Sequence, residues 1–197
     1  MDSEVAKHLA TQQEQVTAFR KALTAESDRG CALFAAAYLD ASVSDLLYVS
    51  LVSNKSIEKD MFEGTAPLAT FSSRIKMAYY LGLISSACRR DLDIIRSVRN
   101  DFAHKLDVNS FGIESVRDRC RSLVFSYREK QDEPRDHFIA SVLGVLGHIH
   151  ASTLTTVPHT EKADEPPSAE AKAEHRKRVG VIAQMLSEPD DKDVASE

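Results

Sequence analysis

Apolar residues recur along this chain at three- and four-residue intervals, the spacing that lines one face of a helix. Val5, Leu9, Val16, Phe19 and Leu23, with polar residues between them, predict a first helix over 3–23. Ser27-Asp28 then reads as an N-cap, with Gly30 tolerating a tight entry, and a second helix runs over about 28–52. Its middle, Cys31 to Leu39, is apolar almost all round, which predicts a helix surrounded by others. Its alanines let neighbours approach closely. Asp40 and Asp45 interrupt it, and a carboxylate in such a setting takes a partner or reaches solvent. Asp40 follows two turns of apolar or small residues, so it is the better candidate for a buried partner.

Residues 54–66 read as a loop, punctuated by Gly64 and Pro67. Pro67 suits the first turn of a third helix over 67–81, which would bury Leu68, Phe71, Ile75 and Ala78 and stop at Gly82. Ser85 or Ser86 caps a fourth helix carrying Leu92, Ile95, Val98 and Phe102 on one stripe. A fifth helix begins between Ser110 and Ile113 and runs through Phe125; a sixth begins at Pro134 and carries Phe138, Val142, Val145, Leu146 and Ile149. Gly144 and Gly147 weaken that helix or admit a neighbour. Beyond Pro158, Glu, Lys, Ala and Pro dominate, with one short amphipathic patch at Val179, Ile182, Met185 and Leu186. This tail reads as largely disordered, with one helix that docks on a partner. The expected fold is all-α: an N-terminal helix in 1–26, a single bundle in 27–157, about five to seven helices in all, and a polar tail in 158–197.

Composition narrows the function. With 43% hydrophobic residues the chain can bury a core, and seven glycines and six prolines suit long helices better than many turns. A net charge of −5 leaves no basic footprint at whole-chain level, which disfavours direct DNA binding. Cys31, Cys88 and Cys120 are odd in number and far apart, with no CxxC or Cys/His cluster, so reduced buried thiols in a cytoplasmic protein are expected, without structural zinc or any other cofactor. Residues 1–15 are polar and lack the apolar core of a secretory signal. Cys31–Leu39 is too short to cross a bilayer, so no membrane association is expected.

The chemically distinctive segment is Arg99-Asn100-Asp101-Phe102-Ala103-His104, late on the fourth helix. At about 100° per residue, Asp93, Arg96, Asn100 and His104 share the side away from the apolar stripe, and Asn100 sits one turn from His104. Arg99 flanks the stripe, roughly 140° from His104. Two copies packed as a homodimer would bring both groups into one cleft. Arginine holds phosphate with a planar fork, histidine moves a proton near neutral pH, and an amide can orient the imidazole or contact a ribose. Together they suit metal-free RNA cleavage, in which the 2′-hydroxyl attacks the adjacent phosphate. The plain structural alternative carries more weight on the residues alone: Arg99 in an ion pair, for instance with Asp40; His104 placed by the helix dipole; Asp101 solvated. His148 and His150 point to different sides, which argues against a shared metal; His8, His137, His159 and His175 stand alone. The run His175 to Arg178 is flanked by acids and reads as a solvated helix face.

Three stretches taken together, Asp28 to Asp40, Pro67 to Ile84 and Leu92 to His104, resemble the mannitol operon repressor (MltR) family over roughly residues 26 to 125. The middle stretch is the most specific. The resemblance implies an all-helical bundle, a role in repressing a sugar-alcohol operon, and, with no helix-turn-helix, regulation through a protein partner. The third stretch also resembles HEPN domains, whose hallmark is Arg, commonly a polar residue next, then a few residues and His. That resemblance implies a dimeric, metal-independent ribonuclease with Arg99, Asn100 and His104 as catalytic groups and Asp40 and Asp101 in support, or one of the many inactive binding modules of that group. The leading expectation is a non-enzymatic regulator acting through protein contacts; the alternative is the ribonuclease, with RNA as partner.

Overall fold

The structure is a computed structural model that describes residues 3–129, 131–164 and 166–187, with side chains from Glu14 onward. Among the described residues there are eight helices and no strand: α1 (Ser3–Ala25), α2 (Asp28–Ser50), α3 (Lys55–Phe62), α4 (Phe71–Tyr80), α5 (Ser86–His104), α6 (Glu114–Arg121), α7 (Pro134–Thr155) and α8 (Ala169–Ser187). The expected all-α bundle is what the chain forms. Helices α1 to α7 belong to one compact unit, Met1–Thr160, and α8 to a second, Glu161–Glu197.

Apolar surface dictates the arrangement of the first unit. Helices α2 and α7 are long and apolar enough to cross a membrane by length and composition. Here they form the central pair, packed on each other and on α5. Cys31, Ala35, Leu39, Val43, Leu46 and Leu47 of α2 meet Phe138, Val142, Val145, Leu146 and Ile149 of α7 in one cluster. The α5 stripe of Leu92, Ile95, Val98 and Phe102 is fully buried against them, as its spacing predicts. Phe19 and Leu23 of α1 close one side, with the Phe19 ring stacked on Tyr38 at 4.0 Å between centroids.

Caps set most of the boundaries. Ser27 accepts from the Gly30 amide at 3.1 Å and Ser85 from the Cys88 amide at 3.1 Å, where the sequence places them. Three boundaries differ from expectation. The segment 54–66 is not all loop: Asn54 accepts from the Ser56 and Ile57 amides and starts α3, whose Phe62 packs on Tyr48. Helix α4 starts at Phe71 rather than Pro67, because Thr70 and Ser73 form a reciprocal capping box while Leu68 N–H turns back to the Met61 carbonyl. Helix α6 stops at Arg121 instead of reaching Phe125.

Asp91 accounts for that early stop. It is fully buried, yet no cation faces it among the described residues. Its carboxylate accepts from the Val124 amide at 3.0 Å, the Phe125 amide at 2.9 Å and the Ser141 hydroxyl at 2.8 Å. Backbone amides that would otherwise continue a helix are recruited across the core to α5. On the other side of the same loop, a Cβ at Gly144 would lie 2.7 Å from the Phe125 carbonyl oxygen, so only glycine lets α7 approach this closely. His137 extends the clasp: its Nε2–H donates to the Glu129 carbonyl at 2.8 Å, since a carbonyl can only accept, and Nδ1 takes the Ser126 hydroxyl at 3.2 Å.

A second clasp ties the first turn of α2 to three other segments. Asp28 accepts from the Phe111 amide at 3.0 Å and pairs with Arg135 at 2.8 Å, and Arg135 also donates to carbonyls of the α1–α2 turn. Arg29 donates to the Phe102, Lys105 and Val108 carbonyls and so closes the C-terminal end of α5.

Burial pushes the Cys31 thiol up to about 11, against the pull of Arg135, and pushes Cys88 and Cys120 up to about 12. All three thiols are therefore expected to resist an aromatic disulfide reagent at pH 8 in the native protein and to react fully in guanidinium. Asp91→Ala, which removes the acceptor of two half-buried amides and the buried Ser141 hydroxyl, is expected to cost about 2–3 kcal/mol in urea unfolding, and Gly144→Ala about 1–3 kcal/mol. Unchanged midpoints would contradict the clasp.

Candidate functional site

An open cleft of about 470 Å³ lies where α2, the start of α4 and α5 meet. Small residues make the space: Ala36 and Ala37 on α2 and Ala69 before α4. Asp40, Thr70, Ser72, Arg96, Arg99 and Asn100 supply its polar lining. Thus three of the five residues singled out from the sequence, Asp40, Arg99 and Asn100, share one cleft.

His104 is not among its lining residues. Helix α5 continues unbroken to His104, so the roughly 140° between Arg99 and His104 stands. His104 is exposed at the end of the helix and makes no hydrogen bond or ion pair among the described residues. Its position suits the negative end of the helix dipole, while Arg29 takes up the nearby carbonyls.

Asp40 does not pair with Arg99. Its partner is Arg74, whose Nε and Nη2 also donate to the Leu68 and Ala69 carbonyls at 2.8 and 3.1 Å. Arg74 lies on the α4 face turned towards α2, and these three acceptors fix its guanidinium against Asp40 and the segment before α4. The signal for this pair was half visible: the apolar run before Asp40 called for a partner, but nothing in the spacing pointed to Arg74. Arg99 is exposed, donates to its neighbour Asn100 at 3.0 Å and meets no carboxylate among the described residues. Arg96 lies 3.8 Å from Asp93, itself shared with Arg89 at 3.2 Å, and its Nε is buried without an acceptor.

Asp101 is not solvated. It sits between Lys105, at 2.9 Å, and Arg119, which also donates to Ser97 at 2.7 Å. Burial opposes its charge, but the hydrogen bonds from Lys105 and Arg119 outweigh it and hold the carboxyl below the usual range. This group is a strut between α5 and α6, which sequence spacing alone did not reveal. No group of three or more metal-binding side chains occurs among the described residues. His150 is pushed down by burial, partly countered by Asp45.

The fold and cleft define an all-helical bundle with a cationic groove. No family model matches this chain, and no curated protein matches it in sequence. Among solved structures, a chain of the MtlR–HPr complex from Escherichia coli is similar, with a TM-score of 0.59 and 18% identity over 68% of this chain and 97% of that one. That likeness shows an MtlR-like fold.

The Asp101 strut carries a pH signature. Its folded pKa lies below the unfolded value, so its stabilisation is present above about pH 4 and lost as pH falls through the folded pKa. Asp101→Asn is expected to be less stable than wild type at pH 7, with the gap narrowing as pH falls below about 4; a gap that does not narrow would contradict this assignment.

Proposed function

We propose that this chain is a non-enzymatic regulatory protein of the MltR type that acts through protein contacts, in the cytoplasm, without binding DNA itself. The observation that carries the reading is the divergence of Arg99 and His104: one faces the cleft between α2, α4 and α5, the other stands exposed a turn and a half further along α5. RNA cleavage needs both groups at one phosphate. The MtlR-like fold lends support, because the similar structure is a complex with a protein, HPr. The acidic balance of the chain weighs against direct DNA binding. Repression of a sugar-alcohol operon is the specific role this reading assigns.

The ribonuclease reading would require a homodimer that brings Arg99 of one copy to His104 of the other. Light scattering that shows monomer at micromolar concentration would remove that geometry. The direct test is incubation of the full chain with mixed RNA in EDTA, followed by analysis for 2′,3′-cyclic phosphate ends. No cleavage is expected. Cleavage that disappears in His104→Ala would overturn the regulatory reading.

A further inference from the structure

The cleft between α2, α4 and α5 holds more cationic capacity than its neighbours consume. Arg99 has only the side chain of Asn100 as acceptor. Arg96 has one distant carboxylate and a buried Nε with no acceptor. Asp40, the one carboxylate lining the cleft, is already neutralised by Arg74. Asn100 gives its oxygen to Arg99, which leaves its amide nitrogen with two donors to offer. Ser72 adds a hydroxyl on the opposite wall. The first turn of α4 lies there too: the capping box engages the Ser73 amide, while Phe71 and Ser72, which line the cleft, have amides with no described acceptor. Helical phase puts Arg96, Arg99 and Asn100 within about 100° of arc on α5, and all three line the cleft.

Apart from Asp40, which Arg74 pairs with, each of these groups can donate, and the volume falls in the range of small-ligand clefts, roughly 300–1,000 Å³. Arginine forks match the geometry of a tetrahedral oxyanion, and a helix N-terminus adds to the attraction. We propose that this cleft binds a phosphate monoester, with Arg96 and Arg99 neutralising its charge and Asn100 and Ser72 orienting it. Such an anion would bridge α4 and α5 across the alanine floor. The inference goes beyond the regulatory reading and holds whether or not the chain cleaves RNA.

The test is nuclear magnetic resonance of the isotope-labelled full chain, titrated with inorganic phosphate, glucose 6-phosphate and a phosphoserine peptide, each against sodium chloride at matched ionic strength. Saturable shifts are expected at Ser72, Arg96, Arg99 and Asn100, with affinity at least tenfold weaker in the Arg96→Gln/Arg99→Gln double variant and the melting curve unchanged. Tighter saturation by glucose 6-phosphate would assign the phosphate to a free metabolite; tighter saturation by the peptide would assign it to a modified protein. Shifts that only follow ionic strength, or equal binding by the double variant, would overturn the proposal. If the double variant unfolds, Arg99→Gln alone decides, because Arg99 is exposed and its hydrogen bond, to Asn100, stays within α5.

Discussion

A carboxylate buried without a cation holds this bundle together. An ionised group taken out of water is costly unless every lone pair finds a donor, and Asp91 finds two backbone amides and a hydroxyl. Those donors come from the connection after α6 and from α7, so the group joins three segments that are far apart in sequence. Gly144 makes the arrangement sterically possible, since any side chain there would strike the Phe125 backbone that Asp91 is holding. With α5 anchored in this way, its apolar stripe is committed to the core and its opposite side is committed to the surface.

The helical phase of α5 then decides which chemistry the exposed side can present. Arg96, Arg99 and Asn100 turn towards α4 and the small residues of α2, and they line a cleft rich in donors. His104 lies beyond that cleft, where Arg29 closes the end of the helix. The short motif that looks like one catalytic unit in the sequence is thus divided between two places in one chain.

Much of the fold was legible because amphipathic spacing and caps are local properties. The α5 stripe, the Ser27 and Ser85 caps and the Pro134 start of α7 all follow from residues within one or two turns. Helix α3 was missed because Asn54 and its neighbours are as compatible with a loop as with a capped helix. The early end of α6 was invisible because its cause, Asp91, lies about thirty residues upstream. The site was legible in part: Arg99 and Asn100 do line a cleft, and Asp40 does have a cationic partner. That the partner is Arg74, and that Asp101 binds Arg119, depends on how three helices stack, which periodicity within one helix does not encode.

The central claim is that Arg99 and His104 belong to separate environments. It is tested most directly by comparing the amide and imidazole resonances of His104 at one fixed pH in wild type and in Arg99→Ala. Separate environments give unchanged His104 resonances, with the perturbation confined to Ser72, Arg96 and Asn100 in the cleft. A His104 imidazole that shifts as strongly as the cleft residues on removal of Arg99 would place the two groups in one site and contradict it.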